Sequence, residues 1–192
     1  MVVFQSITTD EYRSNYMTFR LLHAFHQTPF GKCLIAVTDT NESVAYLTFV
    51  DGDEAAALED LKAKWPLTRT LKDTDNKTDV VVAKIFHPND SQLDSIRILM
   101  RGTEFQIKIW RSLTGIPGGT VTTYEEVAQM AGYNSKTAIA VGNACSKNYV
   151  AYVVPCHRVI AKNTHNGVRG TKYAWKTERK RVILEYEKQL YM

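Results

Sequence analysis

Residues 121–146 read V-T-T-Y-E-E-V-A-Q-M-A-G-Y-N-S-K-T-A-I-A-V-G-N-A-C-S, and the run divides at Gly132. Thr122 or Thr123 offers a hydroxyl to cap a helix carrying Val127 and Ala131. Asn134 or Ser135 does the same for a second, alanine-rich helix. Helix, short glycine-containing turn and second helix is the layout whose second helix can enter a DNA groove, although ordinary helix pairs share it. Small residues at 138, 140, 142 and 144 let the backbone approach DNA or a packed neighbour closely.

Outward from this stretch, G-T-E-F-Q-I-K-I-W-R-S-L at 102–113 predicts a helix with Phe105, Ile109 and Leu113 on one face, ending at I-P-G-G. K-T-E-R-K-R-V-I-L-E-Y-E-K at 176–188 predicts a last helix, with R-K-R at 179–181 as its exposed side. The first half reads as a small α/β unit. Strands are expected at 18–25, 32–38 and 44–50, the last two forming a hairpin across D-T-N-E-S. A helix is expected over 51–65, acidic at its start and lysine-bearing near its end. Residues 70–92 are polar and rich in turn residues around V-V-V-A-K-I-F, and S-I-R-I-L-M at 95–100 is strand-like. The fold class expected is α+β, with an N-terminal α/β domain at 1–100 and a mainly helical domain at 101–192.

The chain has 192 residues, 44% of them apolar, which suffices for a real core. It lacks an apolar run near the roughly 18 to 20 residues that span a membrane, and its first residues lack the basic and apolar regions of a signal peptide. Net charge is +4, but residues from Arg101 onward carry 14 Lys/Arg against 6 Asp/Glu, a balance of +8, leaving −4 for residues 1–100. The basic half is the expected partner of a polyanion. Cys33, Cys145 and Cys156 form no C-x-x-C pair, so a reducing, intracellular compartment is expected. Cys33 and Cys145 read as buried small apolar residues. His23, His26 and His87 are isolated and read as structural or surface residues.

The chemistry gathers at V-P-C-H-R-V-I, residues 154–160. Cysteine reacts as thiolate, and an ordinary pKa of about 8.5 leaves little thiolate at neutral pH, so Cys156 needs an activating base. In an extended strand Cys156 and His157 would face opposite ways. They work together only if the chain turns at Pro155 or a water bridges them. An imidazole base is commonly oriented by a carboxylate. Glu187, at i+4 from Ile183 and i+3 from Leu184, borders the apolar face of the last helix, whereas Glu185 points away. A zinc deaminase would need H-x-E and P-C-x-x-C, which are absent, and no paired ligands suggest a zinc finger. The papain-type signature C-G-[SA]-C-[WY] is missing too. An inert core cysteine stands as the alternative to a nucleophile.

P-C-H-R-V-I at 155–160, G-T-E-F-Q-I-K-I-W at 102–110, T-T-Y-E-E-V-A at 122–128 and A-V-G-N-A-C-S-K-N at 140–148 together resemble the O6-alkylguanine-DNA alkyltransferases. The resemblance covers nearly all of 101–192. It implies a ribonuclease-H-like N-terminal domain and a helix-turn-helix that docks in the minor groove of alkylated double-stranded DNA. It also implies a base flipped into the cysteine pocket and irreversible transfer of the alkyl group to Cys156, with O4-methylthymine as a second substrate. Cys156, His157, Glu187, Asn148 and Tyr124 are the implied catalytic residues, with Asn148 bracing the active-site turn and Tyr124 rotating the nucleotide and donating to the base. Phe105, Thr123, Tyr124, Glu125, Lys136, Ala138, Ile139, Gly142 and Lys162 are the implied DNA contacts. Val159, Tyr173 and Ala174 line the base pocket, the carbonyls of Cys156 and Val159 and the amide of Ala174 reading the base. No metal or cofactor is implied, and a monomer is expected, in the nucleus of a eukaryote or the cytoplasm of a prokaryote.

This chain departs from the family pattern at several places. Ile139 stands where the family carries an arginine that fills the gap left by the flipped base, with Lys136 and Lys147 near enough to reach phosphates. Tyr149 stands where a proline is usual. The loop 161–172 is about four residues longer, and Ala174 replaces a small polar residue. A damage sensor that binds lesions without transfer is the runner-up, and a helix-turn-helix regulator a third reading, though neither explains P-C-H-R.

Overall fold

The computed structural model describes residues 2–86, 95–162 and 173–191. His87 and residues 163–172 of the lengthened loop lie outside them. The chain divides into two compact units, Met1–Thr103 and Glu104–Met192, and together they make an α+β protein. Among the described residues no helix is long and apolar enough to cross a membrane.

The first unit is built on one six-stranded sheet. Its strands are β1 (Val2–Thr8), β2 (Leu21–Thr28), β3 (Gly31–Thr38), β4 (Val44–Phe49), β5 (Thr70–Lys72) and β6 (Ile96–Gly102), in the order β1-β6-β4-β3-β2-β5. β2, β3 and β4 run antiparallel, while β1 pairs parallel with β6 and β5 parallel with β2. β3 and β4 are the centre, and Leu34, Ile35, Ala36, Val37, Ala45, Tyr46 and Leu47 are fully or almost fully buried. Helices α1 (Thr9–Asn15), α2 (Glu54–Lys64) and α3 (Lys77–Phe86) complete the unit.

Three features here differ from the sequence reading. β1 was not anticipated, because it is an edge strand whose seven residues are all partly exposed or exposed. β2 begins at Leu21 rather than 18, because Tyr16–Thr18 form a 3-10 turn and Arg20 is tied by its backbone N–H and Nε to Asp39. The run V-V-V-A-K-I-F at 80–86, read above only as a short apolar stretch among turn residues, lies in α3. Its buried side chains, Thr78, Val81, Val82, Ile85 and Phe86, recur at helical spacing, and the carboxylate of Asp73 accepts from the Thr78 N–H at 2.7 Å near the helix start.

The second unit is mainly helical: α4 (Glu104–Leu113), α5 (Tyr124–Met130), α6 (Ala138–Ser146) and α7 (Thr177–Tyr191), with the short strands β7 (Thr122–Thr123) and β8 (Val159–Ile160). Thr123 caps α5 in a reciprocal box. Its hydroxyl accepts from the Glu126 N–H at 3.3 Å, and the Glu126 carboxylate accepts from the Thr123 N–H at 2.7 Å. Gly132 ends this helix with φ of +79°, a conformation glycine adopts without strain. Asn134 then caps a 3-10 turn, Ser135–Thr137, that leads into α6. The buried indole of Trp110 on α4 donates to the Ala144 carbonyl at 2.9 Å and so holds α6 in place.

Candidate active site

Cys156 and His157 do not lie in a strand. Pro155 turns the chain, Cys156–Arg158 form a 3-10 turn, and the strand starts only at Val159. The two side chains are thereby freed from the alternation that would have faced them apart. Asn148 holds this turn closed from α6's side of the loop. Its Nδ2 donates to the Val154 carbonyl at 2.9 Å and to Cys156 Sγ at 3.3 Å, and its Oδ1 accepts from the Val150 N–H at 2.9 Å. β8 pairs in parallel with β7, Thr122 opposite Val159 and Thr123 opposite Ile160. That pairing sets Tyr124, the first residue of α5, beside the cysteine turn.

Behind the cysteine, the buried His157 and Glu187 meet at 2.9 Å between Nε2 and Oε1. Arg158 donates from Nη2 to Glu187 Oε1 at 2.7 Å and from Nε to Oε2 at 3.0 Å, and the Gly119 N–H reaches Oε2 at 3.3 Å. Arg158 Nη1 also bonds the Ile116 carbonyl at 2.5 Å, so the I-P-G-G break is fastened to α7. Glu185 instead pairs with Arg181 on the exposed side of the helix. Burial alone would raise the Glu187 carboxyl, but the bonds and charges of His157 and Arg158 overcome it and hold the group at about 2. A carboxylate only accepts, so His157 Nε2 carries the proton and Nδ1 is left with its lone pair. Nδ1 is buried and has no hydrogen-bond partner among the described residues. Burial holds the imidazole below its ordinary pKa, with Glu187 pulling the other way.

The thiol itself is pushed up by burial, while the Asn148 hydrogen bond and the charge of Lys180 pull it down. Lys180 corrects the expectation that R-K-R is the exposed side of α7: it is completely buried, and its Nζ donates to the Val159 carbonyl at 2.6 Å. Burial pushes its ammonium down to about 8. Sequence reasoning also gave no role to Arg158. A signal for Lys180 existed, because positions 180, 183, 184 and 187 share one helical face.

A cavity of about 970 Å³ opens in front of the cysteine. It brings together Cys156, Tyr124, Glu125, Ala138, Ile139, Gly142, Lys162, Tyr173 and Ala174 of the expected residues, and adds Cys145, Asn143 and Lys176. The Tyr124 ring lies over Gly142, where an added Cβ would sit 3.8 Å from it, and burial with the two nearby thiols pushes the phenol up to about 12. Ile139 is 82% exposed at the rim. Phe105, Thr123 and Lys136 do not line the cavity: Phe105 packs on Tyr133 at 5.0 Å, Thr123 is used by the cap, and Lys136 is exposed. Val159 is fully buried and does not line the cavity. Both carbonyls expected to read a base already accept one bond, Cys156 from the Val159 N–H and Val159 from Lys180, so each retains one lone pair. Tyr149, in the position of the usual proline, is buried edge-on against Trp110 at 5.7 Å. No group of three or more His, Cys, Asp or Glu able to hold a metal ion occurs among the described residues.

Residues 104–189 match the family model for the 6-O-methylguanine DNA methyltransferase, DNA binding domain. A methylated-DNA–protein-cysteine methyltransferase of Methanosarcina acetivorans is 30% identical over 168 residues, covering 87% of this chain and 98% of that protein. A probable methylated-DNA–protein-cysteine methyltransferase of Acanthamoeba polyphaga mimivirus is 29% identical over 163 residues, 85% of this chain and 94% of the relative. The crystal structure of Mycobacterium tuberculosis OGT in complex with DNA aligns over 88% of this chain and 93% of its own, with a TM-score of 0.64 and 27% identity.

Proposed function

Because the chain belongs to the methylated-DNA–protein-cysteine methyltransferase family, we propose that it repairs alkylated DNA directly, moving the alkyl group from O6 of guanine to Cys156. The observation that carries this reading is the hydrogen-bonded array behind the cavity's Cys156: the buried Asn148, His157 and Glu187, with the half-buried Arg158 on the Glu187 carboxylate. An inert core cysteine needs no such array.

In this reading α6 enters the minor groove of double-stranded DNA with Ile139 leading, and the alkylated guanine turns out of the stack into the cavity. Lys136, Lys147 and Lys162 meet phosphates, and Phe105, Thr123, Glu125, Ala138 and Gly142 border the duplex. Val159, Tyr173 and Ala174 surround the base. The thiol proton passes to His157 Nδ1 through a bridging water, and Glu187 stabilises the imidazolium that results. Sγ attacks the alkyl carbon, the S–C bond forms as the C–O6 bond breaks, and the electron pair leaves with the guanine. Tyr124 donates a hydrogen bond to the ring of the departing base, easing the build-up of charge on the guanine as it leaves, while the thiol proton stays on His157. A thioether has no easy route back to thiol, so each molecule acts once, as a monomer and without a cofactor. The N-terminal unit serves as structural support.

The test is intact-mass measurement after incubation with an oligonucleotide containing O6-methylguanine. The expected result is one methyl gained on Cys156 and none in Cys156→Ala. Tight lesion binding without an adduct would overturn transfer and favour a sensor.

A further inference from the structure

Tyr152 lies in the loop that Asn148 closes, with φ of +65°, in the left-handed region that side chains other than glycine and asparagine rarely adopt. Its ring stacks on the imidazole of His157 with planes 8° apart and centroids 5.7 Å apart. Tyr173 meets the same imidazole edge-on at 6.4 Å. A non-glycine residue held in an unfavourable backbone conformation beside reactive groups points to a role for its side chain.

That role follows from what faces His157. Glu187 on α7 bonds Nε2 and favours an imidazolium, while Arg158 beside it and Lys180 on α7 oppose one by charge. Arg158 also shares the Glu187 carboxylate. Cys156 is the neighbour that gives up its proton, and the buried Tyr173 hydroxyl has no hydrogen-bond partner among the described residues. An aromatic face carries negative potential and attracts a cation, more strongly where water is excluded.

We propose that Tyr152 is a positioning residue of the transfer reaction, its ring face fixing the plane of His157 and stabilising the imidazolium formed when Cys156 loses its proton. The proposal rests on the reading that His157 takes that proton: the S–H bond breaks, the proton is bound at Nδ1, and the sulfur keeps the electron pair with which it attacks.

The experiment reacts the full chain with iodoacetamide from about pH 5 to 10, following Cys156 by peptide mass, so that thiolate formation is read without DNA. Tyr152→Phe is expected to retain the wild-type profile. Tyr152→Leu is expected to lose about tenfold in rate at neutral pH and to move its profile about one unit to higher pH, at an unchanged thermal midpoint. Tyr152→Gly relieves the backbone and should show the same shift, which keeps the test valid if the leucine variant does not fold. A Tyr152→Gly or Tyr152→Leu profile that superimposes on wild type would sink the proposal, as would a Tyr152→Phe profile shifted as far as either. Methyl transfer from DNA is measured alongside. A wild-type protein that takes no methyl, yet whose iodoacetamide profile moves on Tyr152→Leu, would overturn the repair reading and leave the stack standing.

Discussion

Ile139 extends from α6 at the rim of the cavity, 82% exposed. An apolar wedge can separate stacked bases, but it offers no hydrogen bond to the base left behind. A charged hydrogen bond at that point is worth about 1.5 to 3 kcal/mol, so Ile139→Arg is expected to speed methyl transfer from duplex DNA about tenfold or more. The rate on free O6-benzylguanine, which needs no flipping, should stay as it was. Equal acceleration of both would mean that Ile139 has no role in extraction. At this same scale the site was legible only to a degree. The spacing of Glu187 from Ile183 and Leu184 selects it over Glu185, and the structure buries Glu187 against His157. Lys180 escaped notice because it sits within a run of three cations, which ordinarily marks a solvated surface. Tyr152 escaped because a stack depends on the path of a turn, which no local pattern in the chain specifies.

Among the elements, α7 carries an internal opposition. Its buried Lys180 ammonium is pushed from 10.5 down to about 8 by burial. The unfolded chain therefore binds more protons than the folded one between about pH 8 and 10.5, and the contribution of this group to stability rises with pH across that window. Below it the cost of burying the cation, on the order of 3 kcal/mol, is fully present. Lys180→Met should abolish that component of the rise, seen as a wild-type thermal midpoint that gains on the variant from pH 8 upward. The same substitution leaves the Val159 carbonyl short of its donor and removes a charge that favours the thiolate, so methyl transfer should slow. Parallel stability curves for the two proteins would refute the assignment. The elements most visible in the chain were those with periodicity and caps of their own, such as α5 with its Thr123–Glu126 box. α3 was hidden because β-branched residues at 80–82 suggest a strand, and only packing against the sheet decides for a helix. β1 was hidden because an edge strand need not alternate cleanly.

For the molecule as a whole, the division into a sheet-based unit and a helical one follows the change in charge, from −4 over residues 1–100 to +8 over the rest. The α+β class could be read from hydrophobic periodicity, whereas the sheet order β1-β6-β4-β3-β2-β5 could not, because strand neighbours that are distant in sequence leave no local trace.

Glu187 binds Gly119, His157 and Arg158, joining separate segments of the second unit, and it lies 30 residues beyond His157. In the reading proposed above, the nucleophile is therefore made well before the carboxylate that orients its base. On that reading a chain lacking α7 carries an ordinary thiol, and full reactivity requires α7 to be completed and docked. Released chains truncated before residue 187 should accordingly show Cys156 alkylated by iodoacetamide with the pH dependence of a free cysteine. A profile already shifted to that of the folded protein would show that arming does not wait for the helix. Order of manufacture thus acts as a safety catch on a group that can be used once.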